Sequence, residues 1–515
     1  MKNYWKYFCY LIITLQIILG CLHFFKNDIY YDTDIARDFL LLDDMYVNQK
    51  PSLIGGRSSI AGVFHGPLYY WLVLPLFMIS GGNPVVVAIF WLIAYWLFLA
   101  SFYLIGKKTF GTNFALLSTT LISSLTTFLP QGYTHTVLAN FLIIPIIYFA
   151  YLYLIEKKPW QLLTTIFMVG LLIQFQMAFG VPVLIILGTY LFYQIIRHRN
   201  FKHLLSIFII LLPLSTFLVF DLRHDFIQVR SAINGFIEKK ETIDQKNYLS
   251  SRLIAFRDSF SLIKYPAKNI QTIFNFIGII CVFLLLYHLI SYKNSSVKHR
   301  SFIFLLLLIF IGFWLITLPY KDNIWPHYYR VLLPIIIFTT TYVFTKILPT
   351  QISFIFFTLV IGCNFFANLN EGLFYWQTKP TDDEIHWKFY RQLTNDVFQD
   401  SQDQAFGYFV HSPDLYGYQA KYALKYFSQK NQIPSLQHQK KPLTYLVIAT
   451  YAGIDGDEYH SDLIDYWQIN QVRINQPPSD TWIYPVGYVI HRFDLDDAEA
   501  TVSADPTLLD GIHFR

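Results

Sequence analysis

Four short stretches of this chain carry side chains suited to acid–base or anion-binding chemistry. The first runs Tyr30-Tyr31-Asp32-Thr33-Asp34-Ile35-Ala36-Arg37-Asp38. A carboxylate within hydrogen-bond reach of a hydroxyl can take its proton, so Asp34 is a candidate base and Asp32 a second acid able to orient a reactant. Equally, Asp32, Thr33 and Asp34 are of the types that cap a helix and complement its dipole. The second stretch is Gly62-Val63-Phe64-His65-Gly66-Pro67-Leu68-Tyr69-Tyr70-Trp71, with Pro67 suited to a first helical position. Here His65, Tyr69 and Tyr70 could face a substrate, or the rings could form a belt at a membrane surface with His65 an ordinary loop histidine. The third and fourth, Phe220-Asp221-Leu222-Arg223-His224-Asp225 and Trp325-Pro326-His327-Tyr328-Tyr329-Arg330, place Arg near His. A guanidinium grips phosphate through two parallel N–H bonds and a protonated imidazole adds a donor. Arg223, His224, His327 and Arg330 could therefore hold an anion, although basic and aromatic residues also commonly flank membrane spans. Asp32 with His65 is an allowed but thin ligand set for a divalent metal ion.

The elements that must position these groups are set by an apolar composition. Hydrophobic residues make up 54% of the 515 and charged residues only 14%, against roughly 25% charge in soluble domains, so water alone is not the solvent. The 48 Phe and 37 Tyr fit long interfaces at headgroup depth. Cys9, Cys21, Cys281 and Cys363 lie in or beside apolar runs without the paired spacing of zinc or redox sites, and no structural disulfide is expected. The net charge of +5 is dispersed among loops, unlike the concentrated basic face of a nucleic-acid binder. Lys2 and Lys6 precede an apolar run from Tyr7 to Gly20 with no small-x-small pattern after it, which predicts a retained span, not a cleaved signal.

Runs of ~20 apolar residues predict about 11 transmembrane helices, near 4–24, 83–105, 112–130, 134–155, 160–179, 180–196, 203–220, 269–291, 302–319, 328–347 and 352–369. Residues 67–80 are too short to cross comfortably, are broken by Pro75, and are expected to lie at the interface. The stripe Ile35, Phe39, Leu42, Tyr46 predicts a second surface helix, and Gln174 and Gln176, polar within spans, should pair between helices or line a groove. With 67–80 left out of the count, Lys107, Lys108, Lys157, Lys158, Arg197, Arg199, Lys202, Lys293, Lys298 and Arg300 all fall on one side. The opposite short turns near Gln131 and Gly180 carry none. By the positive-inside rule this predicts a multi-pass plasma-membrane protein with a cytoplasmic N-terminus and long outer segments at 25–82, 221–268 and from about 370 onward. Arg57 and Lys321 read as solvated loop charges. Residues 371–515 are expected to form a small extracytoplasmic α/β domain, separate from a membrane domain over 1–370. In it, Ile385, Phe389, Leu393 and Val397 mark a helical stripe over 382–399, 413–428 a second helix, and 405–410, 445–449 and 488–490 short strands.

Asp34-Ile35-Ala36-Arg37, followed about thirty residues later by His65-Gly66-Pro67-Leu68-Tyr69-Tyr70-Trp71, resembles glycosyltransferase family 39. Its relatives include the protein O-mannosyltransferases and the aminoarabinose transferase of lipid A, with patterns similar to Asp-Glu-x-Arg and Pro-Pro-Leu-Tyr-Tyr-Trp. The resemblance implies the C-type glycosyltransferase fold and a polyprenyl-phosphate sugar donor used on the outer face. It also implies a catalytic carboxylate at Asp34 and a substrate pocket that includes Arg37, His65, Tyr69 and Tyr70. The product would be a glycosylated protein, lipid or envelope glycan. Where many such relatives have an acid at the start of the fourth span this chain has Asn140, a poorer ligand for a hard divalent cation. A transporter or flippase of lipid-linked saccharides also needs many spans. Transporters, however, tend to place ionisable residues near the midplane and to repeat their halves, neither of which is visible here. A non-catalytic protein keeping the same architecture is a third class, separated by loss of Asp34.

Overall fold

Backbone groups in lipid have no water to bond, so apolar runs close their hydrogen bonds internally as helices. The computed structural model describes residues 3–510 apart from 59, 130, 131, 133, 238–244, 265–267, 292–296, 321–323, 415 and 450–462. Gln131, Lys293 and Lys321 lie outside the described residues. Among those described, eight helices are long and apolar enough to cross a membrane: Pro84–Phe110, His135–Glu156, Met177–Arg197, Phe201–Arg223, Asn269–Ser291, Val297–Thr317, Pro326–Ile347 and Thr350–Gln377. The other three expected spans are shorter helices, Trp5–Gly20, Thr112–Leu125 and Pro159–Phe175. The last ends before Gly180, because Gln176 (φ −150°, ψ 90°) leaves helical geometry. Leu68–Ile79 has 12 residues, about 18 Å at 1.5 Å per residue, too short for a hydrocarbon core of ~30 Å.

The chain divides into two compact units, residues 1–22, 51–72 and 90–373, and residues 23–50, 73–89 and 374–515. In the first, rings fill the space between helices: Phe98 stacks on Phe141 at 4.5 Å, and Phe338 meets Phe102 and Phe114 edge-on at 4.6 and 5.1 Å. Outward-facing Leu205, Phe208, Phe283 and Ile290 are 65–72% exposed, an apolar surface of the kind that crossing helices turn toward lipid. A buried polar network ties the helices near one end. The Asn368 amide nitrogen shares its two hydrogens among Gln16 Oε1 (3.0 Å), Ser124 O (2.7 Å) and Thr127 Oγ1 (2.9 Å). Asn368 Oδ1 accepts from Lys264 Nζ at 2.9 Å, and that ammonium also pairs with Glu371 at 2.7 Å.

The second unit is built on a five-stranded mixed sheet of order β2-β1-β3-β5-β4: Phe406–His411 (β1), Ser435–Gln437 (β2), Leu443–Ile448 (β3), Asp480–Ile483 (β4) and Val489–Asp494 (β5). β1 runs parallel to β2 and β3, while β5 runs antiparallel to β3 and β4. All six residues of β3 are buried, as the centre of a sheet covered on both faces requires. The expected helix over 382–399 begins later, at Trp387. Ile385 is not part of its stripe; it is 48% exposed, and its carbonyl accepts from Tyr31 N at 2.7 Å while Trp387 N donates to Ile29 O at 3.0 Å. That pairing leads into the helix Thr33–Val47, whose Ile35, Phe39 and Leu42 are buried as the stripe predicts, while Tyr46, its last member, is 40% exposed. Phe39 packs on Tyr422 at 5.1 Å, in the helix Tyr418–Asn431, and on Phe77 at 6.2 Å.

Candidate functional site

The acidic stretch sorts its carboxylates by their surroundings. Asp32 is the N-cap of Thr33–Val47, with Ile35 N donating to its Oδ1 at 2.9 Å. Burial is the main cause that raises its carboxyl to about 6; the Ile35 bond opposes the rise, and nearby Asp34 and Asp38 add to it. Asp32 thus takes the capping role that its type allows. Asp34, in the first turn, has a side chain 61% exposed, and Arg37 Nη1 donates to it at 2.6 Å. The same guanidinium holds buried Asp38 through Nε (3.1 Å) and Nη2 (2.8 Å). Arg37 thereby fixes one enclosed and one open carboxylate, and Asp34 is the open one.

The second, third and fourth stretches belong to the other unit. His65 is anchored through its backbone: its N–H donates to Gly56 O (2.9 Å) and its carbonyl accepts from Gly55 N (2.7 Å). The next amide, Gly66 N, donates to Gln174 O at 3.1 Å. A Cβ on Gly66 would lie 1.8 Å from Gln174 Oε1 and 2.8 Å from Gln174 O, so only glycine allows this approach. The Gln174 side chain donates to Pro213 O and to Thr216 Oγ1 (2.9 Å), and Gln176 Nε2 donates to His327 O at 3.4 Å. Both glutamines act between helices, at the break separating Pro159–Phe175 from Met177–Arg197. On its other side the loop meets the end of Phe201–Arg223. Phe64 N donates to Gln228 Oε1 (3.1 Å), Gln228 N to Asp221 Oδ1 (2.9 Å), and the Phe64 ring meets Phe220 at 5.8 Å.

His65 is therefore brought into one neighbourhood with the backbone of His327 and the end of the helix bearing Arg223 and His224. The His224 ring stacks on Phe220 at 4.1 Å, with Nδ1 2.8 Å from Phe220 O; since a carbonyl only accepts, Nδ1 carries the proton. Arg223, His224, His327 and Arg330 are exposed. Tyr69 and Tyr70 are buried. Tyr69 OH accepts from Trp91 Nε1 and Tyr70 OH from Gly56 N, each at 3.2 Å; they brace the loop, while Trp71 stays 36% exposed.

The sequence reading passed over His135, the first residue of His135–Glu156. It is 3% exposed, and its ring lies 4.3 Å from His65 and 6.2 Å from Tyr69. The available signal was a histidine at the very start of an apolar run, shortly before Asn140. Asn140 Oδ1 is buried with no hydrogen-bond partner among the described residues. No group of three or more His, Cys, Asp or Glu able to hold a metal ion occurs among the described residues. Asp32 lies in one unit and His65 in the other.

No protein-family model matches the chain, and no curated protein matches it by sequence. Solved structures do match by fold. ArnT from Cupriavidus metallidurans bound to undecaprenyl phosphate aligns over 96% of this chain and 99% of its own, with a TM-score of 0.56 at 9% identity. The same protein in the apo state aligns over 97% and 99%, with a TM-score of 0.53 at 10% identity. The likeness covers nearly the whole chain, and the fold is that of ArnT.

Proposed function

We propose that this chain is a multi-pass membrane glycosyltransferase that moves a sugar from a polyprenyl-phosphate donor to a hydroxyl on a protein, lipid or envelope glycan. The observation that carries it is the end-to-end likeness to a structure holding undecaprenyl phosphate. The family 39 motif adds support, since its carboxylate falls on the open acid, Asp34. The acceptor O–H attacks the anomeric carbon, the proton passes to Asp34, and the bond from that carbon to the phosphate oxygen breaks, releasing the polyprenyl phosphate. Cations must meet the charge gathering on the leaving phosphate; Arg223, His224, His327 and Arg330 are the candidates, and Arg37 holds the base in place. The clustered basic loops favour an N-terminus in the cytoplasm and residues 371–515 outside.

The test is transfer in proteoliposomes from a panel of polyprenyl-phosphate hexoses and pentoses, read as released polyprenyl phosphate. Asp34→Asn should cut the rate by about 10²–10⁴-fold, the span of general-base contributions, with unchanged membrane insertion. Undiminished transfer would remove Asp34 from the reaction. No transfer by the unmodified chain with any donor would favour a non-catalytic or flipping role.

A further inference from the structure

Within the second unit the residue before the base candidate is tied to an aromatic pair that the reaction has not used. Thr33, the residue before Asp34, donates through Oγ1 to Asp414 Oδ2 at 2.9 Å and accepts from Gln419 Nε2 at 2.8 Å. The other oxygen of Asp414 accepts from Tyr416 N (2.9 Å) and Gly417 N (3.0 Å). Burial pushes the Asp414 carboxyl up, but hydrogen bonds from Gly417, Ser412, Tyr416 and Thr33 outweigh it and hold the group below the usual carboxylate range. Asp414 is thus a fixed anionic post joining the start of the Thr33–Val47 helix to the backbone of Tyr416. Gly417, at φ +55°, makes the turn into the helix that begins at Tyr418.

Tyr416 lies almost flat on Tyr418, with ring centroids 5.0 Å apart and planes 10° from parallel. Tyr418 is 3% exposed and Tyr416 40%, so a buried ring backs an open one. The Tyr418 hydroxyl lies within the field of Arg37, the residue that holds Asp34. A flat, rigid aromatic face edged by carboxylate, amide and hydroxyl groups suits a polyhydroxylated ring, whose C–H face lies on the aromatic and whose hydroxyls reach the polar edge. Arg37 is paired with both Asp34 and Asp38, and the charge of buried Lys421 is offset by Asp414, so the cations of this region are already matched by acids, which favours a neutral ligand over an anionic one.

Resting on the glycosyltransferase reading, we propose that Tyr416, backed by Tyr418 and tied through Asp414 to Thr33, the residue before Asp34, is the platform for a saccharide acceptor, so that the hydroxyl glycosylated belongs to a sugar. The test uses the full chain in nanodiscs with mannotriose and triacetylchitotriose as probes. Saturation-transfer NMR without donor should give a difference signal on the pyranose C–H protons of at least one probe in the unmodified chain, absent in Tyr416→Ala and kept in Tyr416→Trp. With donor present, Tyr416→Ala should raise the saccharide KM by about tenfold or more, as expected when a stacking partner and its buried area are removed, with kcat nearly unchanged. An equal difference signal in Tyr416→Ala overturns the platform even where Asp34→Asn abolishes transfer, and a serine peptide used as acceptor with the same kcat/KM in both forms overturns the assignment of the acceptor hydroxyl to a sugar. A signal that disappears in Tyr416→Ala and persists in Tyr416→Trp supports the platform, and it does so even if the unmodified chain transfers nothing, an outcome that would sink the reaction instead.

Discussion

Replacing Gly66 by alanine tests the packing that holds the His65 loop. The added Cβ would sit 1.8 Å from Gln174 Oε1, 2.5 Å from Gln174 Cδ and 2.8 Å from the Gln174 backbone oxygen. Rotating Gln174 away relieves the first two clashes but breaks the bonds of its amide to Pro213 O and Thr216 Oγ1, in a side chain only 1% exposed. A buried polar group left unpaired costs about 1–3 kcal/mol. The backbone oxygen cannot move without weakening the 3.1 Å bond from Gly66 N. Together these make Gly66→Ala destabilising by about 3–5 kcal/mol, at the severe end for one substitution. The assay is unfolding in detergent, carried through a double-mutant cycle with Gln174→Ala. Because most of the clash is with the Gln174 side chain, the double mutant should be less unstable than the sum of the two singles. A Gly66→Ala protein within about 0.5 kcal/mol of the parent, or strictly additive effects, would refute the close approach.

Three further outcomes follow from buried polar groups. Lys421 is 5% exposed, and burial, partly offset by Asp414, lowers its ammonium from 10.5 to about 8. The unfolded chain then binds more protons between those values, so stability should rise as pH climbs from about 8 to 10.5, and Lys421→Met should recover about 3 kcal/mol at pH 7 and flatten that rise; a less stable variant would contradict this. His438, 9% exposed with its ring 6.0 Å from Phe409, is pushed down from 6.5 to about 4 by burial, with Lys421 adding. Between those values the unfolded chain takes up the proton and the folded one does not, so stability should fall as pH drops below 6.5, by about 2 kcal/mol at pH 5, and His438→Phe should reduce that fall in an acid titration of unfolding. Asn368→Ala removes the two N–H donors shared among three acceptors and the acceptor for Lys264; about 2–4 kcal/mol should be lost in thermal unfolding, and an unchanged midpoint would show that the network is not coupled to folding.

Much of the fold was legible because its signals are local. Apolar runs located the crossing helices, since lipid leaves a backbone little choice but helix. The short buried runs located β1, β3 and β5 to within a few residues, while β2, three half-buried residues, and β4, mostly exposed, gave no comparable signal. The helix break at Gln176 was misplaced near Gly180 because both glutamines sit inside an otherwise apolar run and their interhelical bonds are tertiary. Long-range pairings left no periodic trace: Tyr31 N to Ile385 O joins residues far apart in the chain, and Ile385 looked like one more member of a helical stripe.

The site was legible as residue types and not as surroundings. The sequence presented Asp32 and Asp34 as near equivalents; geometry makes one a buried cap and leaves the other open beside Arg37. Tyr69 and Tyr70 stood out for their motif, yet their hydroxyls brace the loop against Trp91 and Gly56. His135 gained its place only through packing on His65.

Where the donor phosphate rests can be read by photo-crosslinking the purified protein with undecaprenyl phosphate that carries a diazirine next to the phosphate, followed by peptide mapping. Adducts should concentrate on peptides containing His65, Arg223–His224 or His327–Arg330 and be competed away by unlabelled undecaprenyl phosphate. Adducts spread evenly along the lipid-facing helices and indifferent to that competitor would contradict a donor site built from these residues.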